Sequence, residues 1–217
     1  VQKHLDGPIP LEFNPDQFAQ SCDLILSVVR DEEQNLELCF GNQAIFKHQK
    51  RPQGLIISST VSPGFVHKMK ELLPGETLLV DAPMSGAPHS ARSGNLTFML
   101  GGPSTLLEDW NPLFECMGQQ IHQLGELGAG MSVKVLNNYV ASSSVVTIRR
   151  VLEECSRMKV SPEKLLEVMS ESSGGTWFGN QFKVIDWARE GYSPDNTIGI
   201  LEKDVNSFLK AIDKKPF

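Results

Sequence analysis

The sequence predicts an α/β protein of two domains, in which a domain built on a parallel β-sheet is followed by an all-α domain with a long connecting helix. Short apolar segments alternate with helical segments through the first half of the 217 residues. The stretch 131–158 contains neither proline nor glycine, and further helical segments follow it. We therefore expect the first domain to span 1–127 and the helical domain to span 128–217.

The first predicted elements are a short helix, a strand and a second helix. Asn14-Pro15 offers an N-cap residue and then a proline at the first helical position, which predicts a helix to about Ser21. The continuous apolar run 24–28 is typical of a strand that is covered on both faces. A helix is expected at 32–40.

Two further strands are predicted at 55–58 and 77–80, with a helix between them that begins after Ser62-Pro63. Strands separated by helices indicate crossover connections and therefore a parallel sheet. Ligands of such sheets bind at the carboxyl ends of the strands. The residues that directly follow each strand are where we expect a site.

The second half is predicted to be helical after a possible strand at 121–124. The stretch 130–158 would form one helix of roughly 40 Å. Further helices are expected at 162–170, 177–190 and 200–213. The change from alternating strands and helices to helices alone predicts the domain boundary.

Composition excludes several classes of function. The net charge of −6 and the pI of about 5.4 leave no basic field for a nucleic acid. No apolar run approaches the roughly 18 residues of a membrane span, and no signal peptide is recognisable, which favours the cytoplasm or the mitochondrial matrix. The four cysteines and five histidines show none of the spacings of a zinc site. We expect neither a metal site nor a disulfide framework.

The first candidate site lies in the segment 81–102, DAPMSGAPHSARSGNLTFMLGG. Ser85, Gly86 and Ala87 follow a predicted buried strand, and a turn of small residues there can present successive backbone N–H groups to an anion. Ser85 adds a hydroxyl donor. The alternative is a tight turn that needs glycine only for its backbone dihedral angles.

The second candidate lies in the segment 125–138, GELGAGMSVKVLNN. Gly128-Ala129-Gly130 resembles the start of a dinucleotide fingerprint. However, the third glycine is absent, and the chain continues as a helix where a second strand and an acidic residue would be required. We therefore reject this turn as a nucleotide-binding loop.

Lys134 and Asn138 are the more informative pair in this segment, because residues at i and i+4 project from one face of a helix. A lysine in the first turns of a helix opposes the macrodipole. Burial at that position would lower its pKa toward the range of a general acid or base. The alternative is a lysine solvated on the helix surface. The later Glu202-Lys203-Asp204 is, by itself, an ordinary solvated charge run.

Taken together, these stretches resemble the β-hydroxyacid dehydrogenases. The pattern DAPxSGxxxxAxxGxLxxMxGG is followed by GxGxxxKxxNN and then by Lys203-Asp204. This order is similar to that of 3-hydroxyisobutyrate dehydrogenase and of the glyoxylate and succinic semialdehyde reductases, within the wider 6-phosphogluconate dehydrogenase superfamily. The segment 59–63, STVSP, and Val29-Arg30 match the same family in register. The resemblance implies a Rossmann-type first domain, incomplete at its start, and a helical domain for substrate binding and dimerisation.

The resemblance also implies roles for single residues. Lys134 would be the catalytic lysine, with Asn138 holding the substrate hydroxyl or carboxylate beside it. The backbone of Ser85, Gly86 and Ala87 would bind the substrate carboxylate. The residues implied to line the cofactor, NAD or NADP, are Val29, Arg30, Gln34, Thr60 and Lys203.

The implied reaction is hydride transfer between a nicotinamide cofactor and a small hydroxy acid or semialdehyde. Lys134 would take up the hydroxyl proton during oxidation and return it during reduction. The implied assembly is a homodimer or a higher homo-oligomer, without a nucleic-acid or membrane partner. The alternative is a catalytically silent family member that serves as a binding or scaffold module.

The sequence departs from the family pattern at several points. No glycine-rich GxGxMG turn precedes Leu24, and Phe217 closely follows the helix of Lys203. We therefore expect the chain to be a fragment of a longer enzyme. Ala87 stands where the family usually has a second glycine, and Asn196 where it often has an aromatic residue.

Overall fold

The computed structural model describes residues 12–86, 88–193 and 196–212. The chain divides into two compact units, with the boundary between Met131 and Ser132. Within the described residues, every strand lies in the first unit, and the second unit is built from helices. The predicted fold class, a parallel-sheet α/β domain followed by an all-α domain with a long helix, is confirmed.

The described strands of the first unit form two three-stranded sheets. In chain order they are β1 (Leu24–Ser27), β2 (Gly54–Ile57), β3 (Leu78–Asp81), β4 (Met84–Ser85), β5 (Leu96–Leu100) and β6 (Gly118–Gln123). β1, β2 and β3 are parallel neighbours in that order, as the alternating pattern predicts. β4 pairs with β5 in antiparallel orientation, and β5 pairs with β6 in parallel orientation.

Several of the helices begin at a residue whose side chain caps the first turn. The helices are α1 (Pro15–Ser21), α2 (Glu32–Phe40), α3 (Pro63–Leu72), α4 (Pro88–Arg92), α5 (Ser104–Glu115), α6 (Ala129–Met158), α7 (Pro162–Ser170), α8 (Trp177–Gln181) and α9 (Thr197–Ala211). Side-chain oxygens of Asn14, Asp31, Ser62 and Ser161 each accept a backbone N–H at the starts of α1, α2, α3 and α7. These caps satisfy donors that have no partner inside a helix, and so they fix where each helix begins.

Both faces of the first sheet are covered. Leu55 and Ile57 of the central strand β2 belong to one buried cluster, whereas Ile56 belongs to another. The three side chains are fully buried. Successive side chains of a strand point to opposite faces, so a strand that is buried on both sides has an uninterrupted apolar sequence.

The second unit has a core of its own. Ile148 of α6 packs there with Leu166 of α7 and with Phe178 of α8. α6 has 30 residues, and Lys159, which follows its last residue, has a φ of 56°. Over the part of the chain that the structure describes, no helix combines the length and the apolarity needed to cross a membrane.

The predicted helix 177–190 is wrong. α8 ends at Gln181, and turns occupy most of the segment 182–189. The ring of Trp187 stacks on that of Phe178 with 5.6 Å between centroids. Aromatic packing of this kind brings a large apolar area onto the core, and here it outweighs the helical periodicity of the segment.

Candidate functional site

Lys134 is a buried lysine near the start of α6. Its exposed fraction is 7%. Burial disfavours the charged form and lowers the pKa of Lys134 below its ordinary value; the nearby charge of Asp204 opposes this effect and that of Lys203 adds to it. An amine with this environment can exchange a proton closer to neutral pH than a solvated lysine. The alternative of a solvated surface lysine is therefore excluded.

Asn138 lies one helical turn beyond Lys134 and is bonded to α9. Its Nδ2 donates a hydrogen bond of 2.7 Å to Oδ2 of Asp204. The other oxygen of that carboxylate, Oδ1, lies 2.7 Å from Nζ of Lys203. Asp204 is itself buried, with an exposed fraction of 5%. Two lysines and one carboxylate therefore share a poorly solvated environment beside the amide of Asn138.

Sequence reasoning missed Asp204, because the run Glu202-Lys203-Asp204 has the composition of a solvated helix face. A signal was present in the spacing. Leu201, Asp204 and Phe208 stand at i, i+3 and i+7, which places them on one face of α9. Leu201 packs against the core of the second unit, so this face points inward.

Ser85 and Gly86 form the end of β4 and the turn after it. Ser85 pairs with Thr97 of β5. Gly86 has a φ of +142°, and a Cβ atom at this position would lie 2.9 Å from Cδ2 of Leu96. Glycine is therefore favoured here by its backbone conformation, and the side chain of Leu96 would have to shift to admit a Cβ atom. Ala87, the third residue of the predicted carboxylate-binding turn, lies outside the described residues.

Asp81 connects the two candidate segments within the first unit. Its Oδ1 accepts a 2.7 Å hydrogen bond from the backbone N–H of Gly128, and its Oδ2 accepts one of 2.6 Å from that of Met131. Burial raises the pKa of Asp81 to about 6, although these two hydrogen bonds act in the opposite direction. A Cβ atom at Gly101 would collide with Oδ1 of Asp81, and one at Gly130 would collide with the carbonyl oxygen of Met99.

The GxG segment at the start of α6 therefore serves close packing there. The N–H groups of Gly128 and Met131 are bonded to Asp81, whose carboxylate caps a helix that begins at Ala129, 48 residues later in the chain. A carboxylate at this end also complements the helix macrodipole. The first turn of the helix that carries Lys134 is thus fixed by a side chain of the DAP motif.

The residues implied to line a cofactor lie at neighbouring strand ends in the first unit. Val29 and Arg30 follow β1, and Thr60 follows β2, which is its parallel neighbour. The backbone N–H of Arg30 donates to Oε1 of Gln34 at 2.9 Å. The structure thus brings these four predicted residues to one edge of the sheet, where the ligands of such sheets bind. Lys203, the fifth, belongs to the second unit.

A hydrogen bond holds the loops at this edge together. Oγ of Ser62, which caps α3, donates to Oε1 of Glu32 at the start of α2 over 2.7 Å. The backbone N–H of Ser62 donates to the same oxygen over 3.2 Å. The segment that carries Thr60 is thereby tied to the helix that carries Gln34. Among the described residues, no group of three or more His, Cys, Asp or Glu side chains is placed to hold a metal ion.

Two family models match the chain. One describes the NAD-binding domain of 6-phosphogluconate dehydrogenase and matches residues 1–125. The other describes the NAD-binding domain of NADP-dependent 3-hydroxyisobutyrate dehydrogenase and matches residues 128–215. The chain belongs to the 3-hydroxyisobutyrate dehydrogenase-like family of β-hydroxyacid dehydrogenases. The resemblance stated from the motifs is confirmed.

Curated relatives of this chain carry the names of dehydrogenases. The mitochondrial 3-hydroxyisobutyrate dehydrogenase of Mus musculus is 30% identical over 184 residues, which are 84% of this chain and 55% of the relative. The L-threonate dehydrogenase of Cupriavidus necator is 28% identical over 213 residues, which are 96% of this chain and 71% of the relative. The chain thus spans about half the length of the mammalian relatives it matches.

Solved structures share the fold. A 3-hydroxyisobutyrate dehydrogenase from Salmonella typhimurium superposes with a TM-score of 0.74 at 23% identity, covering 94% of this chain and 72% of that one. The 3-hydroxyisobutyrate dehydrogenase of Mycobacterium tuberculosis with L-serine gives a TM-score of 0.70 at 23% identity, covering 92% and 69%. These likenesses establish the fold of the β-hydroxyacid dehydrogenases for this chain.

Proposed function

We propose that this protein is an NAD- or NADP-dependent oxidoreductase that transfers a hydride between its cofactor and a small hydroxy acid or semialdehyde, similar to 3-hydroxyisobutyrate, with Lys134 as general acid and base. The observation that carries the proposal is the burial of Lys134 beside Asn138, Lys203 and Asp204. The names of the relatives support the reaction class. No finding favours the alternative of a catalytically silent scaffold.

Lys134 would move the proton of the reaction. Oxidation of a hydroxy acid requires a base to remove the hydroxyl proton, and neutral Nζ of Lys134 would accept it. Reduction requires the same proton to return to the oxygen, and the ammonium would donate it. Both directions need a lysine whose two protonation states are accessible, which is what burial of this side chain favours.

Two further groups would bind the substrate. Asn138 would donate a hydrogen bond to the hydroxyl or the carboxylate from the position one turn beyond Lys134. The backbone N–H groups of Ser85, Gly86 and Ala87 would hold the carboxylate, and the φ of Gly86 permits a turn of this kind. Because the net charge is −6, an anionic substrate needs such local donors rather than a general field.

A nicotinamide nucleotide would bind at the strand ends of the first sheet. Val29, Arg30, Gln34 and Thr60 would hold it, and Arg30 supplies a cationic side chain that is exposed. Lys203 would contribute a second cation. When bound, the cofactor supplies the hydride chemistry; the residues named here bind and orient it.

We also propose a homodimer or a higher homo-oligomer, in the cytoplasm or the mitochondrial matrix. Val133, Leu136 and Val140 stand at i, i+3 and i+7 on α6 and are exposed by 38%, 54% and 69%, a pattern typical of a helix that packs against a partner. The word mitochondrial in the name of the mouse relative supports the second of these compartments. Light scattering on a sizing column measures the assembly, and a monomer would contradict it.

The test of the reaction is an assay of the purified protein against a panel of small hydroxy acids and semialdehydes, each with both cofactors. We expect absorbance of the reduced nicotinamide to change with at least one pair of substrate and cofactor. Fluorescence titration with NADH and NADPH provides a separate measure of binding. Binding without turnover across the panel would favour a silent family member. A protein that shows no binding of either cofactor and no turnover would contradict the proposal.

A further inference from the structure

The carboxylate of Asp204 is divided between two partners. Oδ2 accepts the hydrogen bond from Nδ2 of Asn138, and Oδ1 forms an ion pair with Nζ of Lys203; both distances are 2.7 Å. Oδ1 accepts no hydrogen bond from any described group, so its contact with Lys203 is one of charge. A carboxylate that is 5% exposed would be costly to bury without such partners.

We propose that Asp204 is a positioning residue: through one oxygen it holds the amide of Asn138 in the orientation that presents an N–H to the substrate oxygen, and through its charge it balances the ammonium groups of Lys134 and Lys203. This inference rests on the proposed function of Lys134 and Asn138. It extends that function to a residue that touches neither the substrate nor the cofactor in the roles set out above.

The orientation of the amide matters because its two ends have opposite properties. Asn138 has two N–H donors on Nδ2 and one acceptor, Oδ1. The bond of 2.7 Å to Asp204 uses one donor and holds Nδ2 on the side of α9, and Oδ1 accepts a longer bond of 3.1 Å from Nδ2 of Asn137. The second N–H can then donate to the oxygen at which negative charge develops when a carbonyl is reduced. A flipped amide would present Oδ1 to that oxygen and repel it.

The charge of Asp204 matters because two lysines lie near it. The pKa of Lys134 is lowered by burial and by the charge of Lys203, and it is raised by Asp204. These are the charged groups that act on Lys134 from α9. Without the carboxylate, two ammonium groups would share this environment, and Lys134 would lose its proton at a lower pH. Asp204 therefore keeps enough of Lys134 protonated for reduction.

Two substitutions separate these roles. Asp204→Asn removes the charge but keeps an oxygen that can accept from Asn138, whereas Asp204→Ala removes both. Glu202→Gln is the matched control, because it removes one negative charge from an exposed position of the same helix and keeps an acceptor for Tyr192. Circular dichroism and chemical unfolding verify that each full-chain variant is folded.

Nuclear magnetic resonance measures both roles without any turnover. Titration of isotope-labelled lysine side chains should place the pKa of Lys134 below that of the exposed lysines in the wild type, and lower again in both Asp204 variants. The side-chain amide of Asn138 should exchange its hydrogens slowly in the wild type and in Asp204→Asn, and faster in Asp204→Ala. Glu202→Gln should behave as the wild type does.

The outcomes are separable. If the pKa of Lys134 in Asp204→Asn equals that of the wild type, the charge of Asp204 does not act on Lys134 and that role is overturned. The positioning role would be overturned by fast hydrogen exchange of the Asn138 side-chain amide in the wild type. It would also be overturned if the exchange rate in Asp204→Ala equalled that of the wild type. If Asp204→Ala does not fold, the wild-type amide and the Asp204→Asn titration still decide both points.

Kinetics then connect the inference to the reaction. In Asp204→Asn, the rate of oxidation against pH should rise at a lower pH than in the wild type, and the rate of reduction should also fall at a lower pH. Asp204→Ala should lose about tenfold or more in kcat, since one correctly placed donor to a developing oxyanion contributes about 10²–10³. If the Asp204 variants shift the pKa of Lys134 but the wild type shows no turnover, only the proposed function is contradicted. If the wild type turns over and Asp204→Asn leaves the dependence of the rate on pH unchanged, only the role of Asp204 is contradicted.

Discussion

Nδ2 of Asn138 donates to Oδ2 of Asp204 across 2.7 Å and so joins two helices of the second unit. α6 carries Lys134 and Asn138, and α9 carries Lys203 and Asp204. A general acid and base must be held by neighbours whose own positions are fixed. The bond between Asn138 and Asp204 supplies such a restraint, and the predictions below follow from it and from the anchoring of α6 by Asp81.

Replacement of Asn138 by alanine should impair catalysis more than folding. The variant loses a donor to the substrate oxygen, for which we expect kcat to fall by about 10²–10³. Its buried partner Asp204 also loses a hydrogen bond, so the free energy of unfolding should fall by about 1–3 kcal/mol. Steady-state kinetics and urea unfolding measure the two effects.

The control for this variant is Asn206→Ala. Asn206 is the same residue type at an exposed position of α9 in the same unit, whereas Asn137 is unsuitable because its Nδ2 donates to Oδ1 of Asn138. The kcat of Asn206→Ala should stay close to that of the wild type. Equal losses of kcat in the two variants would show that the amide of Asn138 has no special role.

Asp81→Asn should destabilise the first unit near pH 4, where the wild-type carboxyl is protonated and the cost of burying its charge does not enter the comparison. The carboxyl group keeps acceptor capacity on both oxygens, whereas an asparagine side chain has one acceptor oxygen, so either the N–H of Gly128 or that of Met131 loses its partner. A buried backbone donor without a partner costs about 1–3 kcal/mol. Urea unfolding compares this variant with Asp109→Asn, which makes the same change at an exposed position of α5 and should leave stability unchanged.

The stability of the protein should depend on the ionisation of Asp81. The pKa of this carboxyl is about 6 in the folded protein against an ordinary value of 3.8. Between these values the folded state holds a proton that the unfolded state has lost, so the contribution of Asp81 to stability is present at low pH and is lost as pH rises toward 6.

The difference between wild type and Asp81→Asn isolates this effect from other carboxyl groups. As pH rises from about 3 to 7, through both values, the free energy of unfolding of the wild type should decrease relative to that of the variant by up to about 3 kcal/mol. Urea unfolding at a series of pH values measures it. A difference that is constant with pH would contradict the assignment of a raised pKa to Asp81.

Gly130→Ala should destabilise the protein although glycine is unfavourable inside a helix. A Cβ atom there would meet the carbonyl oxygen of Met99 and would lie 2.9 Å from Oδ2 of Asp81. We expect a loss of about 1–3 kcal/mol from overpacking. The matched variant is Gly64→Ala in α3, where nothing lies within 4 Å, and which should gain up to about 1 kcal/mol from helix propensity. Thermal unfolding of both variants measures the contrast, and a stabilised Gly130→Ala would refute the close packing.

The sequence predicted those parts of the fold whose cause is local. The apolar runs of β1 and β2 and the capping residues Asn14 and Ser62 each identify an element within a few residues. β6 is different, because its sequence GQQIHQ is mostly polar and exposed, and its pairing with β5 makes it a strand. The expected strand at 121–124 captured only its second half.

The residues of the candidate site also fall into two groups, those predictable from local sequence and those that depend on distant contacts. Lys134 and Asn138 could be found from their spacing and from the family motifs, because both depend on one helix. Asp81 could not be assigned its partners, since its bonds span 47 and 50 residues. Asp204 was hidden by its charged neighbours. Its burial depends on how α9 packs, which the local composition does not determine.

The proposed role of Lys134 as general acid and base is tested most directly by kcat. The comparison is between Lys134→Ala and Lys164→Ala, which removes an exposed lysine of α7. We expect Lys134→Ala to lose about 10²–10⁴ in kcat with its binding of NADH or NADPH retained, and Lys164→Ala to retain the wild-type rate. A folded Lys134→Ala variant with wild-type kcat would contradict the account.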